Sequence, residues 1–527
     1  MNNRQYSYVT PVLIAFAMAM GLLMGNLLTP QEQPVVSGGQ AKYQKLQDII
    51  HILDKKYVDE IDGEDLFEQS IADMLHKLDP HSNYIAARDL KAMNEEIEGK
   101  FGGVGIRFFI IRDTVCVTNV LPNSPSERAG LKAGDKIIKV DGEVVAGKKI
   151  SNDDIMGKLK GQAGTSVKLG LNRGGKKIEK KVTRGTIPVE SVTASYMVDD
   201  EIGFIKIERF SIETSKEFRA AAYKLRQEGL KKLIIDVRNN GGGVLTGATD
   251  IADEFLNANI PIVETKGEHS PQYVYRSTAN GSMKDVEVAI LINSNSASAS
   301  EILAGAIQDN DRGTIIGRRS FGKGLVQEDV LLRDGSNLRL TVAKYYTPTG
   351  RCIQKPYNGD ISDYYDDQLD RYDKGELYHV DSTMFDDSLK FTTPGGKTVY
   401  GGGGIMPDVF VPLDSSGTSW YLTQLRYSPA FTTFAFDYIQ GKRNNWSSPE
   451  EFAKQFVVTD AIVDQFARFA ANEHDVKRDN DGLRTSKALI KRYIKGEIAR
   501  QIWVEQGFYQ VNNLLDLEVK EAINYLR

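Results

Sequence analysis

Asn295-Ser296-Ala297-Ser298-Ala299-Ser300-Glu301 stands between the apolar run Val286 to Ile292 and a second run, Ile302 to Asp309. The first reads as a buried strand and the second as a helix. The small residues between them therefore mark a strand-to-helix junction, and a serine there has two roles open to it. Ser298 and Glu301 fit the S-x-x-E capping box, in which the serine accepts an orphan N–H and the glutamate reaches back to the cap. A serine at a helix N-terminus also lies beside free N–H groups that stabilise an oxyanion, as a nucleophile requires. The seven residues leave both readings standing.

Working outward, the flanking chain has α/β texture from Ile187 onward. Gly203 to Phe210 alternates like a strand, Thr214 to Gln227 has the apolar spacing of an amphipathic helix, and Lys232 to Val237 is a continuous apolar strand. That strand runs into Arg238-Asn239-Asn240-Gly241-Gly242-Gly243. Gly313 to Gly317 is a further short strand, and Leu325 to Leu332 with Leu338 to Tyr346 forms a hairpin about Arg333-Asp334-Gly335-Ser336. Each motif falls at the C-terminal end of a strand, where α/β sheets place their ligands.

A serine nucleophile needs a base. The six histidines, His51, His76, His81, His269, His379 and His474, lie in no motif that looks catalytic, and His81 beside Pro80 reads as a surface or packing residue. Lys323, in Phe321-Gly322-Lys323-Gly324-Leu325-Val326-Gln327, is the other candidate, 25 residues after Ser298. A lysine serves as base only with its pKa lowered from about 10.4 toward 7 or 8, by burial or nearby positive potential. Lys323 and Gln327 share a face on a straight strand but lie about 13 Å apart at 3.3 Å per residue. If they meet, Gly322 and Gly324 must bend the chain, and a bend is predicted here.

Phe101 to Arg184 changes to short strands and turns, with Phe101-Gly102-Gly103-Val104-Gly105-Ile106 at its start and "SPSERAGLKAGDKIIKVDG" at its centre. A helix around Asp153 to Leu159 and a last strand near Val167 to Asn172 follow. The whole module resembles a PDZ domain. Such a domain adds an extended peptide to its sheet edge and captures the terminal carboxylate on backbone N–H groups. The resemblance places those groups in the loop Gly103, Val104, Gly105 and Ile106, with Val104, Ile106 and Phe108 alternating toward groove or core.

"DVRNNGGG", "NSNSASASEILAGAIQDN", "RRSFGKGLVQ", "KYYTPTGRCIQ" and "GGGGIMPDVFV", in this order and after "KLDPHSNY", resemble the motifs of the C-terminal processing peptidases, or tail-specific proteases, of the S41 family. The likeness spans about Tyr43 to Leu413. It implies an α/β multidomain protein whose peptidase core is of the crotonase and Clp-protease type. Ser298 is then the nucleophile, Lys323 the general base and Gln327 the residue that positions the lysine. The oxyanion hole is formed by the N–H of Ala299 and one from the glycine run, Gly243 or Gly242. No metal or cofactor is required, and the substrates are proteins with accessible C-terminal tails. The implied division is a signal anchor and linker at 1–40, N-terminal helices at 41–98, the PDZ domain at 99–186, the peptidase core at 187–414 and a helical extension at 415–527.

The remaining features bound the setting. The 527 residues carry a formal charge of -5 with no basic stripe, which sets nucleic acid aside. Pro11 to Leu28 is eighteen residues without a charge, longer than a usual signal-peptide core and near the lower limit for a bilayer span. It reads as an uncleaved anchor that exports the body of the chain to a bacterial periplasm and tethers it to the inner membrane. Cys116 and Cys352 have no metal-ligand spacing and read as two buried free thiols. Asp360 to Glu376, dense in Asp and Tyr, reads as a solvated insertion. The tail from Thr418 is patterned for helices and suits core packing, a homo-oligomer surface or an adaptor arm.

Overall fold

The computed structural model describes residues 38–380 and 387–527; the expected anchor, Pro11 to Leu28, lies outside them. Among the described residues no helix is long and apolar enough to cross a membrane. The chain divides into two compact units, residues 1–74 and 75–527. The first holds α1 (Gly38–Lys56) and most of α2 (Gly63–His76).

In the second unit β1 (Asn83–Ile85) and α3 (Ala87–Glu98) lead into β2 (Lys100–Gly103). The PDZ sheet follows: β3 (Ile106–Ile111), β4 (Thr114–Val120), the short α4 (Pro125–Arg128), β5 (Lys136–Val140), β6 (Glu143–Val144), α5 (Asn152–Leu159), β7 (Ser166–Arg173) and β8 (Lys176–Thr183). β8 is a correction to the expected last strand: β7 turns back through Gly174 and Gly175, both with positive φ, and pairs with β8 along its whole length. The sheet order β3-β4-β5-β7-β8 leaves β3 at an edge. β9 (Gly185–Pro188) pairs with β2 and closes the module at its neck.

The core is a six-stranded sheet in the order β10 (Val192–Met197), β11 (Ile202–Ile207), β12 (Lys232–Asp236), β15 (Glu287–Ile292), β16 (Thr314–Gly317) and β21 (Val409–Phe410), parallel except for the β10–β11 pair. Every residue of β11 is buried, as are nearly all of β12 and β15. Parallel strands covered on both faces need such continuous apolar runs. One face is covered by α6 (Thr214–Gln227), α7 (Leu245–Asp253) and α8 (Ala299–Asp309). A second sheet, β1-β18-β13-β14 with β17 on β18, is built from β13 (Pro261–Lys266), β14 (Tyr273–Arg276), β17 (Leu325–Leu331) and β18 (Asn337–Tyr346).

Asp360 to Glu376 is not a solvated insertion. It forms α9 (Ile361–Asp373), whose outer acids face water while Tyr364 and Arg371 are buried against the sheet ends. Its Asp-rich composition reports only the outer face. A small hairpin, β19 (Lys390–Thr392) and β20 (Thr398–Tyr400), comes before β21. Cys116 is buried and Cys352 half-buried, both as free thiols, so the expectation of two buried thiols holds for the first alone.

The extension comprises α10 (Trp420–Tyr427), α11 (Ala430–Tyr438), α12 (Pro449–Gln455), α13 (Asp460–His474), α14 (Asn480–Thr485), α15 (Lys487–Asn512) and α16 (Leu517–Leu526). Ser448 caps α12 with Pro449 in its first turn. The helices share an aromatic core around Phe431, Phe434, Phe452 and Phe466. Phe436 packs on Ile111 and Cys116 of the PDZ sheet, and Arg112 pairs with Asp437 and Glu473 at 2.8 Å each. α16 lies on the second face of the central sheet, with Val519, Ala522 and Leu526 against Phe204, Ile234, Leu291 and Ile316. The extension therefore supplies a layer of the peptidase core and also a seat for the PDZ module.

Candidate active site

β15 ends at Ile292, and the chain turns sharply before α8 begins at Ala299. Ser298, at the turn, has φ 54° and ψ −113°, a conformation that costs a non-glycine residue about 1–3 kcal/mol. Its neighbours hold it there. The Ser296 hydroxyl donates to the Val237 carbonyl at 2.8 Å and accepts from Asn293 N–H at 3.0 Å; the Ser300 hydroxyl donates to the Asn240 carbonyl at 2.9 Å. Both are buried, whereas Ser298 is only half-buried. Of the three serines, Ser298 alone turns toward open space.

Glu301 explains how the junction meets the lysine loop. One carboxylate oxygen accepts from Ser298 N–H at 2.8 Å and from Lys323 N–H at 2.9 Å. The other accepts from Gly322 N–H at 2.7 Å and from the Ser320 hydroxyl at 2.5 Å. The backward reach of a capping box is present, but the Glu301 N–H itself is met by the Ser298 carbonyl at 2.8 Å. Burial pushes this carboxyl up to about 7, with the four donors pulling against it.

Lys323 precedes β17, Gly322 adopts φ 92°, and the β17–β18 register slips between Val326 and Gln327. This is the bend that the spacing predicts. It brings Lys323 Nζ to 2.9 Å from Gln327 Oε1, and Gln327 Nε2 donates to the His81 carbonyl. Burial, then the charge of Arg339, lowers the lysine to about 8, against opposing pulls from Asp79 and Glu301. Among the described residues no hydrogen bond joins Nζ to Ser298 Oγ; the amine rests on Gln327. Such contacts commonly tighten only when substrate is bound. A neutral base implies a rate that climbs about tenfold per pH unit toward pH 8 and levels above it. The kcat profile from pH 6 to 10 checks this; a flat profile below pH 7.5 would exclude Lys323 as the base.

His81 contributes its carbonyl, a role that a reading of side chains misses; the Asp79-Pro80-His81-Ser82 turn was its only signal. Its ring packs on Phe321, and Nε2 lies 3.0 Å from the Tyr364 hydroxyl. Burial, then the Lys323 charge, drives it down to about 3, so the imidazole is neutral and already partnered.

The glycine run lies directly against Ser298. A Cβ on Gly242 would fall 2.7 Å from both the Ala297 carbonyl and Ser298 Cβ, and one on Gly243 2.0 Å from the Phe210 carbonyl. Gly242 N–H is engaged by Asn240 Oδ1 at 2.9 Å. Among the described residues the N–H groups of Ala299 and Gly243 donate no hydrogen bond. Of the two glycines, Gly243 is the one that presents an unengaged N–H at this turn.

In the PDZ loop the Val104 side chain is buried in the module's core, while Ile106 lines a cavity of about 1030 Å³. The Val104 carbonyl accepts from Ser126 N–H at 2.9 Å and the Gly105 carbonyl from Leu121 N–H at 3.1 Å. Gly105 has φ 79°, and a Cβ there would strike Ser124 at 2.4 Å. Gly103 pairs with Gly185 at the neck. Asn239 of the core and Arg500 and Tyr509 of the extension complete the cavity wall.

A mixed α/β core with an inserted PDZ domain, and a strained serine set against free N–H groups and a buried lysine, define a serine-type processing peptidase. The model for Peptidase family S41 matches residues 201–363, that for the PDZ domain residues 102–183, and one for a family of unknown function, DUF8443, residues 421–504. The carboxy-terminal-processing protease of Bartonella bacilliformis is 36% identical over 351 residues, covering 65% of this chain and 80% of the relative. A probable CtpA-like serine protease of Staphylococcus aureus strain MSSA476 is 35% identical over 316 residues, 60% of this chain and 63% of the relative. Among solved structures, a photosystem II D1 C-terminal processing protease is 28% identical with a TM-score of 0.33, covering 58% of this chain and 89% of that one. The chain belongs to the carboxy-terminal-processing serine proteases of family S41.

Proposed function

We propose that this peptidase works through a Ser298/Lys323 dyad on exported proteins that its PDZ domain holds by their C-terminal tails. The observation that carries the reading is the Glu301 carboxylate, which ties the Ser298 and Lys323 main chains to a single oxygen. Lys323 swings from Gln327 to take the Ser298 proton as Oγ attacks the scissile carbonyl, and returns that proton to the leaving amine. The N–H groups of Ala299 and Gly243 receive the oxyanion. Loss of one such donor costs about 3–4 kcal/mol of barrier in a comparable hydrolase. The apolar segment Pro11 to Leu28 supports a tether at the inner membrane facing the periplasm. Capture of the tail uses the Val104–Ile106 loop and the open edge of β3.

An unfolded substrate with an apolar C-terminal tail, compared with the same chain amidated at its C-terminus, tests the reading. Amidation removes the charge that the loop N–H groups hold, so KM is expected to rise about tenfold or more while kcat stays level. Equal KM values would show that the PDZ domain selects another feature. No cleavage of either substrate at pH 9 would sink the reading itself.

A further inference from the structure

Helix α9 begins within the S41 match, which stops at residue 363, and continues beyond it. Three of its side chains reach the three loops that build the site. Arg371, buried, donates from Nη1 to the Ser320 carbonyl at 2.8 Å and from Nη2 to the Phe321 carbonyl at 3.2 Å. Gln368 Nε2 donates to the Ser294 carbonyl at 3.2 Å and to Asn295 Oδ1 at 3.0 Å, on the nucleophile turn. The Tyr364 hydroxyl meets His81 Nε2 at 3.0 Å, in the turn whose carbonyl holds Gln327.

The base loop is thus gripped from two sides. Glu301 takes its N–H groups at Gly322 and Lys323, and Arg371 takes its carbonyls at Ser320 and Phe321. A planar guanidinium is suited to this, because two donors in a fixed fork meet two successive carbonyls. Asp367 Oδ2, 3.0 Å from Nη2, sets the orientation of the guanidinium. Without those donors the loop can turn at Gly322, whose φ of 92° marks the sharpest point of the bend. Lys323 would then leave its place beside Gln327.

We propose that Arg371 is a positioning residue of the peptidase reaction, holding the Ser320–Phe321 carbonyls so that the Lys323 amine keeps its place on Gln327. The assignment rests on the dyad reading above. It gives α9 a task, since its side chains join the supports of the nucleophile turn, the base loop and the glutamine.

The test compares the full-length protein with Arg371→Ala, Arg371→Lys and Lys323→Ala on the free-tail unfolded substrate. For Arg371→Ala, kcat is expected to fall about 10- to 100-fold, the cost of a small misplacement of a reacting group, with KM within about twofold. The acid limb of its kcat profile is expected to move up by about one pH unit, because a displaced lysine is less buried and regains a higher pKa. Arg371→Lys recovers part of both, since an ammonium serves one carbonyl well and two poorly. An unchanged kcat, or a lowered kcat with the acid limb unmoved, would overturn the assignment. Should Arg371→Ala not fold, Arg371→Lys decides by the same two quantities. A Lys323→Ala protein that cuts as fast as the unmodified one removes the dyad reading itself, independently of the Arg371 series.

Discussion

Lys323→Met is expected to abolish cleavage and yet to leave the protein more stable than the unmodified chain at pH 7. On the proposed dyad, activity is lost because the neighbouring titratable groups are engaged elsewhere: His81 is neutral but partnered by Tyr364, and Glu301 already accepts four hydrogen bonds. The fall is expected to match that of Ser298→Ala, on the order of 10⁶-fold, since members of such a unit fail together. Stability moves the other way. The lysine is lowered from 10.5 to about 8 in the folded chain, so at pH 7 it is charged in both states and its burial opposes folding. That shift corresponds to about 3 kcal/mol. The penalty is full below pH 8, fades between 8 and 10.5 as the unfolded state binds the additional proton, and vanishes above. Urea unfolding of both proteins should therefore show the methionine variant ahead at pH 7 and level near pH 10.5. A variant less stable at pH 7 would mean that the Gln327 hydrogen bond outweighs burial.

Legibility in the sequence followed distance along the chain. Ser298, Glu301, Lys323 and Gln327 lie within thirty residues, and the junction, the glycine-flanked lysine and the bend are local chemistry. β12 and β15 were legible because parallel strands covered on both faces are nearly unbroken apolar runs, whereas β11, read as alternating, is buried throughout with Lys206 held by Asp236 and the Arg238 carbonyl. What stayed hidden was long-range. His81 holds Gln327 through a carbonyl 246 residues away, and no property of the histidine side chain announces that. Arg371 lay inside an Asp- and Tyr-rich stretch whose composition describes the water-facing side of α9. The tail read as helical from Thr418 onward, but periodicity could not show that its last helix, α16, covers a face of the central sheet. The oxyanion choice also waited on geometry, because it turns on Asn240 Oδ1 occupying one glycine N–H and leaving the next.

Glu518→Ala is expected to destabilise the protein by about 3–5 kcal/mol, the cost of leaving buried charges without their partner. A network of ion pairs runs from Arg238, the residue before the Asn239–Gly243 turn: Lys206, Arg238, Arg318 and Arg492 against Asp236, Asp516 and Glu518. Arg238 binds Asp236 at 2.6 Å, Asp516 at 3.0 Å and also Glu518, which in turn lies 2.6 Å from Arg318. Arg492 adds a fourth cation at the rim, 3.8 Å from Asp516, so Asp516 and Glu518 each face two arginines. Removal of Glu518 takes a partner from two nearly buried arginines, and one of them, Arg238, directly precedes Asn239, where the turn to Gly243 starts. Cleavage should therefore fall more than the folded fraction alone predicts, because the oxyanion turn loosens with its anchor. Arg238→Met combined with Glu518→Met should cost less than the sum of the single changes, since the pair leaves no orphan charge between them. Guanidinium unfolding of the single and double variants measures both quantities. Additive losses would show that α16 holds the sheet by apolar packing alone, with Arg238 and Glu518 independent of each other.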